Sequence, residues 1–462
     1  MDRLSLPVVV IGAGPVGLAA AAHLLARGIE PLVLEQGDAV GSNVRKWGHV
    51  RFFSPWRYSV DTAAGALLKE AGWEAPDPDR YPTGDDLVRQ YLQPLAALPV
   101  MRDCIRLDTE VLAVTREGFD KMKTPGRNAA PFLVTVRTGE QGEAEILARG
   151  VIDASGTWMS PNPLGNSGRP AIGESGLAKH IAYGIPDVVG AERERYAGKR
   201  VLVVGSGHSA FNVLLDLVEL AGKEPGTEIT WAIRKPADRM QHLFGGGSND
   251  ALPARGALGS RVRVMVEQGR LRLETGVKIT RLEQTANGIV VSGRERVLDP
   301  VDEIIAATGF RPNLAPLSEL RLALDPAVES PVALAPLIDP NVHSCGSVSP
   351  HGAEELRHPE ADFYIAGMKS YGRAPTFLML TGYEQVRSIA AALAGDWDAA
   401  RDVQLVLPET GVCSSNIPGL EGAGCCGIDA ASVDASAVSC CAPVEPQVIR
   451  LGTLKRESVT HG

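Results

Sequence analysis

Apolar and polar positions along the chain follow a pattern that occurs twice. Residues 7–11 (PVVVI) form a short apolar run, followed by a glycine-rich stretch and an apolar segment of helical length, LAAAAHLLA. Gly28 closes that segment, and a second apolar run, Leu32–Leu34, ends in Glu35. Short apolar runs bounded by turns read as strands buried on both faces, and their alternation with helices reads as a parallel sheet. Residues 199–210 (KRVLVVGSGHSA) repeat the design with the run Val201–Val204, a glycine turn, the helical FNVLLDLVELAG and then TEITWAIRK. Two further stretches echo each other, VIDASGTW (Val151–Trp158) and DEIIAATGFRPN (Asp302–Asn313). Each is an apolar strand ending in a small-residue turn, and together they bracket the second unit. Phe363–Leu393 reads strand, glycine turn, helix. The predicted fold class is α/β, with two Rossmann-like dinucleotide-binding domains.

The glycine spacing gives these units a chemistry. In Gly12-x-Gly14-x-x-Gly17, the first glycine permits a tight turn, the second lets backbone approach a pyrophosphate, and the third lets helix and strand pack closely. The helix that begins at Pro15 offers unpaired N–H groups to that anion. Glu35, with Gln36 after it, stands where a carboxylate accepts hydrogen bonds from a ribose. FAD-binding flavoproteins usually place such a unit at the N-terminus, so FAD is its expected ligand. The second unit reads Gly205-x-Gly207-x-x-Ala210, with Ser209 in the turn, and its following strand ends in Arg234 and Lys235. Bases at that point pair with a 2′-phosphate, so the second unit is expected to bind NADPH.

The echoing stretches resemble the linkers of two-dinucleotide flavoproteins, and the second resembles the ATG motif of flavin-dependent monooxygenases. That resemblance places Gly156, Thr308 and Gly309 close to bound nucleotide. It also implies that the unit after Phe363 returns to the FAD site, with Gly367 at the cofactor. Met368 follows that glycine, where many such proteins carry Asp. The expected division is a discontinuous FAD domain, residues 1–165 and 300–407, with the NADPH domain, 170–299, inserted in it. Residues 408–462, poor in large apolar side chains, read as a flexible, disordered cysteine-rich tail. KMKTPGRNAAP (Lys121–Pro131) reads as a surface loop between strands.

Composition narrows the setting. A net charge of −9 argues against a nucleic-acid partner. Leu6–Ala26 is apolar, but its glycine turn and barely basic flank fit neither a signal peptide nor a membrane span. The expected location is therefore cytoplasmic, with no membrane partner, where structural disulfides are rare. Seven cysteines, an odd number, also do not suit a disulfide framework.

NADPH beside FAD implies hydride transfer to the flavin, and the electrons then have three outlets: oxygen, a disulfide, or an outside acceptor. Before the tail the chain has only Cys104 and Cys345, in no redox motif. The stretch usual in amine, sulfide and ketone monooxygenases, FxGxxxHxxx(W/Y), is incomplete. In DVVGAERERYAGKR, Tyr196 fits the last position but Glu192 stands in place of the histidine. Several other stretches resemble the flavin-binding monooxygenases of arsenic-resistance gene clusters (the ArsO group). They are WGHVRFFSPWRYSVD (Trp47–Asp61), YPTGDDLVRQYLQPLA (Tyr81–Ala96), YGIPDVVG, LIDPNVHSCGSVSPHGAEELRHPE (Leu337–Glu360) and GMKSYGRAPTFLMLTGYEQVRS. The resemblance implies a monooxygenase that uses molecular oxygen on a small-molecule substrate, a soft nucleophile such as a trivalent arsenical. A homodimer is compatible with such folds.

Arg51, Trp56 and Tyr371 are candidates for the flavin pocket, packing beneath a loop being the competing role. His351 and His358, near Glu354 and Glu355, have no zinc-site spacing and read as solvated loop residues. In the tail, Cys425-Cys426 and Cys440-Cys441, with Cys413, are candidate ligands for a soft metal or metalloid, since thiolates favour soft ions. Two alternatives follow from these thiols: an NADPH-dependent flavin disulfide reductase working through the tail pairs, and a metalloid-binding or delivery protein.

Overall fold

Strand β1 (Val8–Ile11) runs straight into the first glycine turn, and β2 (Pro31–Leu34), β3 (Ile105–Arg106) and β7 (Gly150–Asp153) line up parallel with it. Between β3 and β7 lies an antiparallel meander, β4 (Thr109–Arg116), β5 (Phe132–Thr138) and β6 (Gly142–Ala148). The second unit contains β8 (Ile181–Tyr183), β9 (Arg200–Val204), β10 (Glu228–Ala232), β11 (Arg272–Glu274), the hairpin β12 (Ile279–Thr285) and β13 (Gly288–Gly293), and β14 (Glu303–Ala306). Strand β15 (Phe363–Ile365) comes last. The structure is a computed structural model and describes residues 3–139, 142–239, 243–244, 253–341, 350–375 and 377–405.

Two five-stranded sheets result, in the orders β15-β7-β1-β2-β3 and β11-β10-β9-β14-β8. Each centres on the strand that feeds a glycine turn. On one flank lies the strand after the helix, and on the other one of the two echoing stretches. Strand β1 is buried throughout and β9 from Val201 to Val204, as parallel strands covered on both faces must be. Because the first sheet takes β15 from beyond the second, the first domain is discontinuous. Strand β14 departs from the expected division at residue 299, since it pairs with β9 and β8 in the second sheet. The cause is local: Ile304, Ile305 and Ala306 are buried, and their register against Leu202, Val203 and Val204 completes that sheet.

Helix α1 (Pro15–Leu25) is buried on every side, from Val16 to Leu24. Its run of alanines lets it lie between the first sheet and helix α4 (Met379–Leu393), itself buried from Thr381 to Ala392. In the second unit, helix α2 (His208–Lys223) packs beside α3 (Pro253–Glu267).

A buried charge cluster ties the meander to the chain entering β15. The Glu360 carboxylate accepts from Arg116 Nε and Arg127 Nη2, each at 2.8 Å, and from the Arg321 N–H at 3.0 Å. All three charged side chains are essentially inaccessible, and Arg116 also lies over the Phe132 ring. Lys121–Pro131 is thus a surface loop with one buried anchor, Arg127. Burial alone would raise the Glu360 carboxyl, but the hydrogen bonds from Arg127, Arg116 and the Arg321 N–H hold it below its ordinary value. Such a group contributes stability above its unfolded pKa and loses it as pH falls through the folded value.

Glu360→Ala should therefore cost about 3–5 kcal/mol in urea unfolding at neutral pH, because two guanidinium groups are left buried without their carboxylate. The gap to wild type should narrow as pH falls below about 4.3, the ordinary glutamate value.

Candidate dinucleotide sites

The first turn is shaped by what its glycines lack. Gly12 has φ 97°, and a Cβ on it would lie 3.0 Å from both the Ala154 carbonyl oxygen and Ser155 Cα, where the chain leaves β7. A Cβ on Gly17 would overlap the Gly12 carbonyl oxygen, whereas one on Gly14 would meet nothing within 4 Å. Gly14 is the N-cap of α1, Pro15 occupies the first helical position, and no side chain caps the helix. Its first N–H groups and partial positive charge therefore have an open approach over Gly14. The Glu35 carboxylate is 8% exposed and accepts the Ala13 N–H at 2.7 Å and the Gly37 N–H at 2.9 Å. Two bonds leave a carboxylate with acceptor capacity for a ribose. Gln36 is exposed beside it.

The second turn repeats the construction. Gly205, at φ 138°, would clash through a Cβ with the Ala307 carbonyl oxygen, where the chain leaves β14. Gly207 is open, is the N-cap of α2 and has no side-chain cap above it. Ala210, in the third position, is fully buried, and Ser209 is half-buried. Trp231 Nε1 donates to the Gly205 carbonyl at 2.7 Å, fixing the turn from β10. Arg234 is exposed just beyond β10, one place further on than Glu35 stands after β2. Both turns thus offer an open, uncapped helix N-terminus of the kind a dinucleotide pyrophosphate needs. FAD at the first and NADPH at the second fit the residues present.

The two linkers bind each other. The Asn162 N–H donates to the Gly309 carbonyl at 2.9 Å, and the Arg311 N–H to the Ser160 carbonyl at 3.0 Å. Thr308 Oγ1 donates to the Asn162 carbonyl at 2.5 Å, and the Trp158 and Phe310 rings stack at 4.7 Å. Thr308 and Gly309 are engaged in this ribbon, while Gly156, at φ 71°, has open space around it. The Trp47–Asp61 segment reaches both units: Trp56 is 1% exposed in the first core, while Phe53 packs edge-on against His208 at the start of α2. Arg51 is exposed and donates to the Tyr81 carbonyl. Glu192 pairs with Arg195, and Tyr196 is buried.

Gly367 follows β15 with φ 69°, and a Cβ on it would sit 3.3 Å from Val16 in the first turn of α1. Its N–H donates to Gln385 Oε1 at 2.8 Å, and Gln385 Nε2 meets Ser370 Oγ and His351 Nε2. Tyr371 is 2% exposed and lies against His351 and Phe377. Both histidines correct the sequence expectation, being buried rather than solvated. His351 accepts from the Gln385 amide, and burial lowers His358 to about 4 while its Nδ1 accepts the Ala323 N–H. Nothing in their spacing signalled the core that closes around them. Lys369, which sequence reasoning passed over, donates from Nζ to Asp153 Oδ2 at 2.6 Å and to Ser155 Oγ at 3.1 Å. Cys104 is half-buried, its thiol donating to the Met101 carbonyl and pushed up by burial to about 11. Cys345, Cys413 and the paired tail cysteines lie outside the described residues.

Two linked Rossmann units, each with an open glycine turn, define a two-dinucleotide-binding-domain flavoprotein. A family model described as pyridine nucleotide-disulphide oxidoreductase matches residues 9–333, and the chain belongs to that family of oxidoreductase enzymes. It is 29% identical over 231 residues to indole-3-pyruvate monooxygenase YUCCA6 of Arabidopsis thaliana, covering 49% of this chain and 48% of that one. It thus spans about half the length of that relative. It is 24% identical over 337 residues to bacilliredoxin reductase Bdr of Bacillus subtilis, covering 72% and 86% of the two chains. The FAD-bound cadaverine monooxygenase DfoA of Erwinia amylovora shares the fold, with a TM-score of 0.59, 14% identity, and coverage of 89% of this chain and 99% of that one.

Gly17→Ala should destabilise the flavin-free protein by about 1–3 kcal/mol through overpacking, whereas Gly14→Ala should change its melting little and weaken FAD binding instead. Arg234→Ala should raise the KM for NADPH by about tenfold and leave that for NADH nearly unchanged.

Proposed function

We propose that the chain is an FAD- and NADPH-dependent flavoprotein monooxygenase that oxidises a soft nucleophile, in the first instance a trivalent arsenical. The observation that carries the reading is the difference between the two turns within one body. Both are open, but the strand beyond the first leads into Glu35 and the strand beyond the second leads into Arg234 and Lys235. An acid suits an unphosphorylated ribose and bases suit a 2′-phosphate. Gly12, Gly14, Gly17 and Glu35 hold FAD, with Gly367 against the same helix. Gly205, Gly207, Ser209 and Arg234 hold NADPH. Bound together, these cofactors supply hydride transfer and the activation of oxygen; the protein binds, orients and shields them.

The fate of the electrons rests on the thiols. Among the described residues the one cysteine is Cys104, whose raised, hydrogen-bonded thiol is a poor redox partner. With Cys104 and Cys345 in no redox motif of the sequence, oxygen is favoured as acceptor. The stretches quoted for the arsenic-resistance monooxygenases support an arsenical, whose lone pair on a soft centre suits electrophilic oxygen. The cysteine-rich tail is compatible with the same substrate class. A second reading, a thiol or disulfide reductase, is supported by the longer match to bacilliredoxin reductase, and would need the tail cysteines.

Under air, NADPH consumption by the holoenzyme should rise when arsenite, a methylated trivalent arsenical or a thioether is added, with matching oxygen uptake. No rise with any of them overturns the monooxygenase reading. Consumption driven by a disulfide without oxygen, and lost on truncation after Leu407, would establish the reductase instead.

A further inference from the structure

We propose that Lys369 donates a charge-assisted hydrogen bond to the flavin-side half of the dinucleotide held at the first glycine turn. This rests on the reading that the first turn binds FAD. The sheet order fixes which half is meant. Strand β2, which leads into Glu35, lies on one side of β1, while β7 and β15 lie on the other. With the adenosine ribose at Glu35 and the pyrophosphate at the end of β1, the ribityl chain and isoalloxazine extend over the ends of β7 and β15. Lys369 stands there, in the turn directly after β15.

The local bonding leaves Lys369 with one donor to spare. It is 3% exposed, and an ammonium carries three N–H groups. Among the described residues two acceptors meet it, Asp153 Oδ2 and Ser155 Oγ. Asp153 is fixed in turn, its Oδ1 accepting the Ser155 N–H at 3.1 Å and Ser155 Oγ at 2.6 Å. Ser155 Cα is one of the atoms that close on Gly12, so the cluster adjoins the turn. A buried charged donor short of an acceptor is unfavourable, and an oxygen of the flavin-side half supplies one. Met368 offers no such group from the same turn. The positive charge also favours the more negative, reduced form of a flavin beside it.

The test titrates flavin-free protein with FAD and, separately, with ADP, which carries only the adenylate half. Lys369→Met should weaken FAD by about tenfold or more and leave ADP unchanged. Lys369→Arg should recover part of the loss. The potential of the bound flavin should fall in the Met variant by about 30 mV, one decade in the two-electron equilibrium. Equal losses for FAD and ADP, or no loss of either, would overturn the proposal, since a purely structural ion pair acts on both halves or neither. Lys369→Gln, which keeps a donor and loses the charge, carries the same comparison should the Met variant fail to fold. A wild-type protein that takes up no FAD would refute the FAD reading itself, and is distinguishable from either result.

Discussion

Two missing Cβ atoms govern this architecture. At Gly12 and again at Gly205, the chain leaving a neighbouring strand passes so close to the glycine turn that no other residue fits without displacing backbone. The neighbours are Ala154-Ser155 after β7 and Ala307 after β14, the ends of the two echoing stretches. Each contact closes a sheet across its central strand and places the exit of a linker against a nucleotide-binding turn. The same contact leaves Gly14 and Gly207 facing open space, so close packing behind the turn and open approach in front of it have one origin.

From this the coupling of the two sites follows. The linkers leave the two turns and pair with each other through Asn162, Thr308 and Gly309, with Trp158 stacked on Phe310. The Trp47–Asp61 segment adds a second bridge, its Phe53 touching the helix that starts at the second turn. Both dinucleotides would therefore be held by elements in direct contact, as transfer of a hydride from one to the other requires.

Whatever is contiguous in the chain was legible in the sequence. Strand, turn, helix, strand and terminal acid or base fall within about 30 residues, and each has a local physical reason. What chain topology assembles was not legible. Asp153 and Lys369 are 216 residues apart, and Arg116 and Glu360 are 244 apart. No spacing rule connects such pairs. The apolar run of β14 fits either sheet, and its pairing with β9 decides. His351 and His358 lie in a polar stretch that reads as loop, but packing against Tyr371 and Phe363 buries them.

On the proposed function, one body holds two different dinucleotides at two similar turns, selected by the acid beyond one and the bases beyond the other. Calorimetric titration of the flavin-free protein with FAD, followed by NADP⁺, measures this. One FAD per chain and then one NADP⁺ per chain should bind, the second without releasing the first. Displacement of FAD by NADP⁺, or two equivalents of the same nucleotide bound per chain, would contradict it.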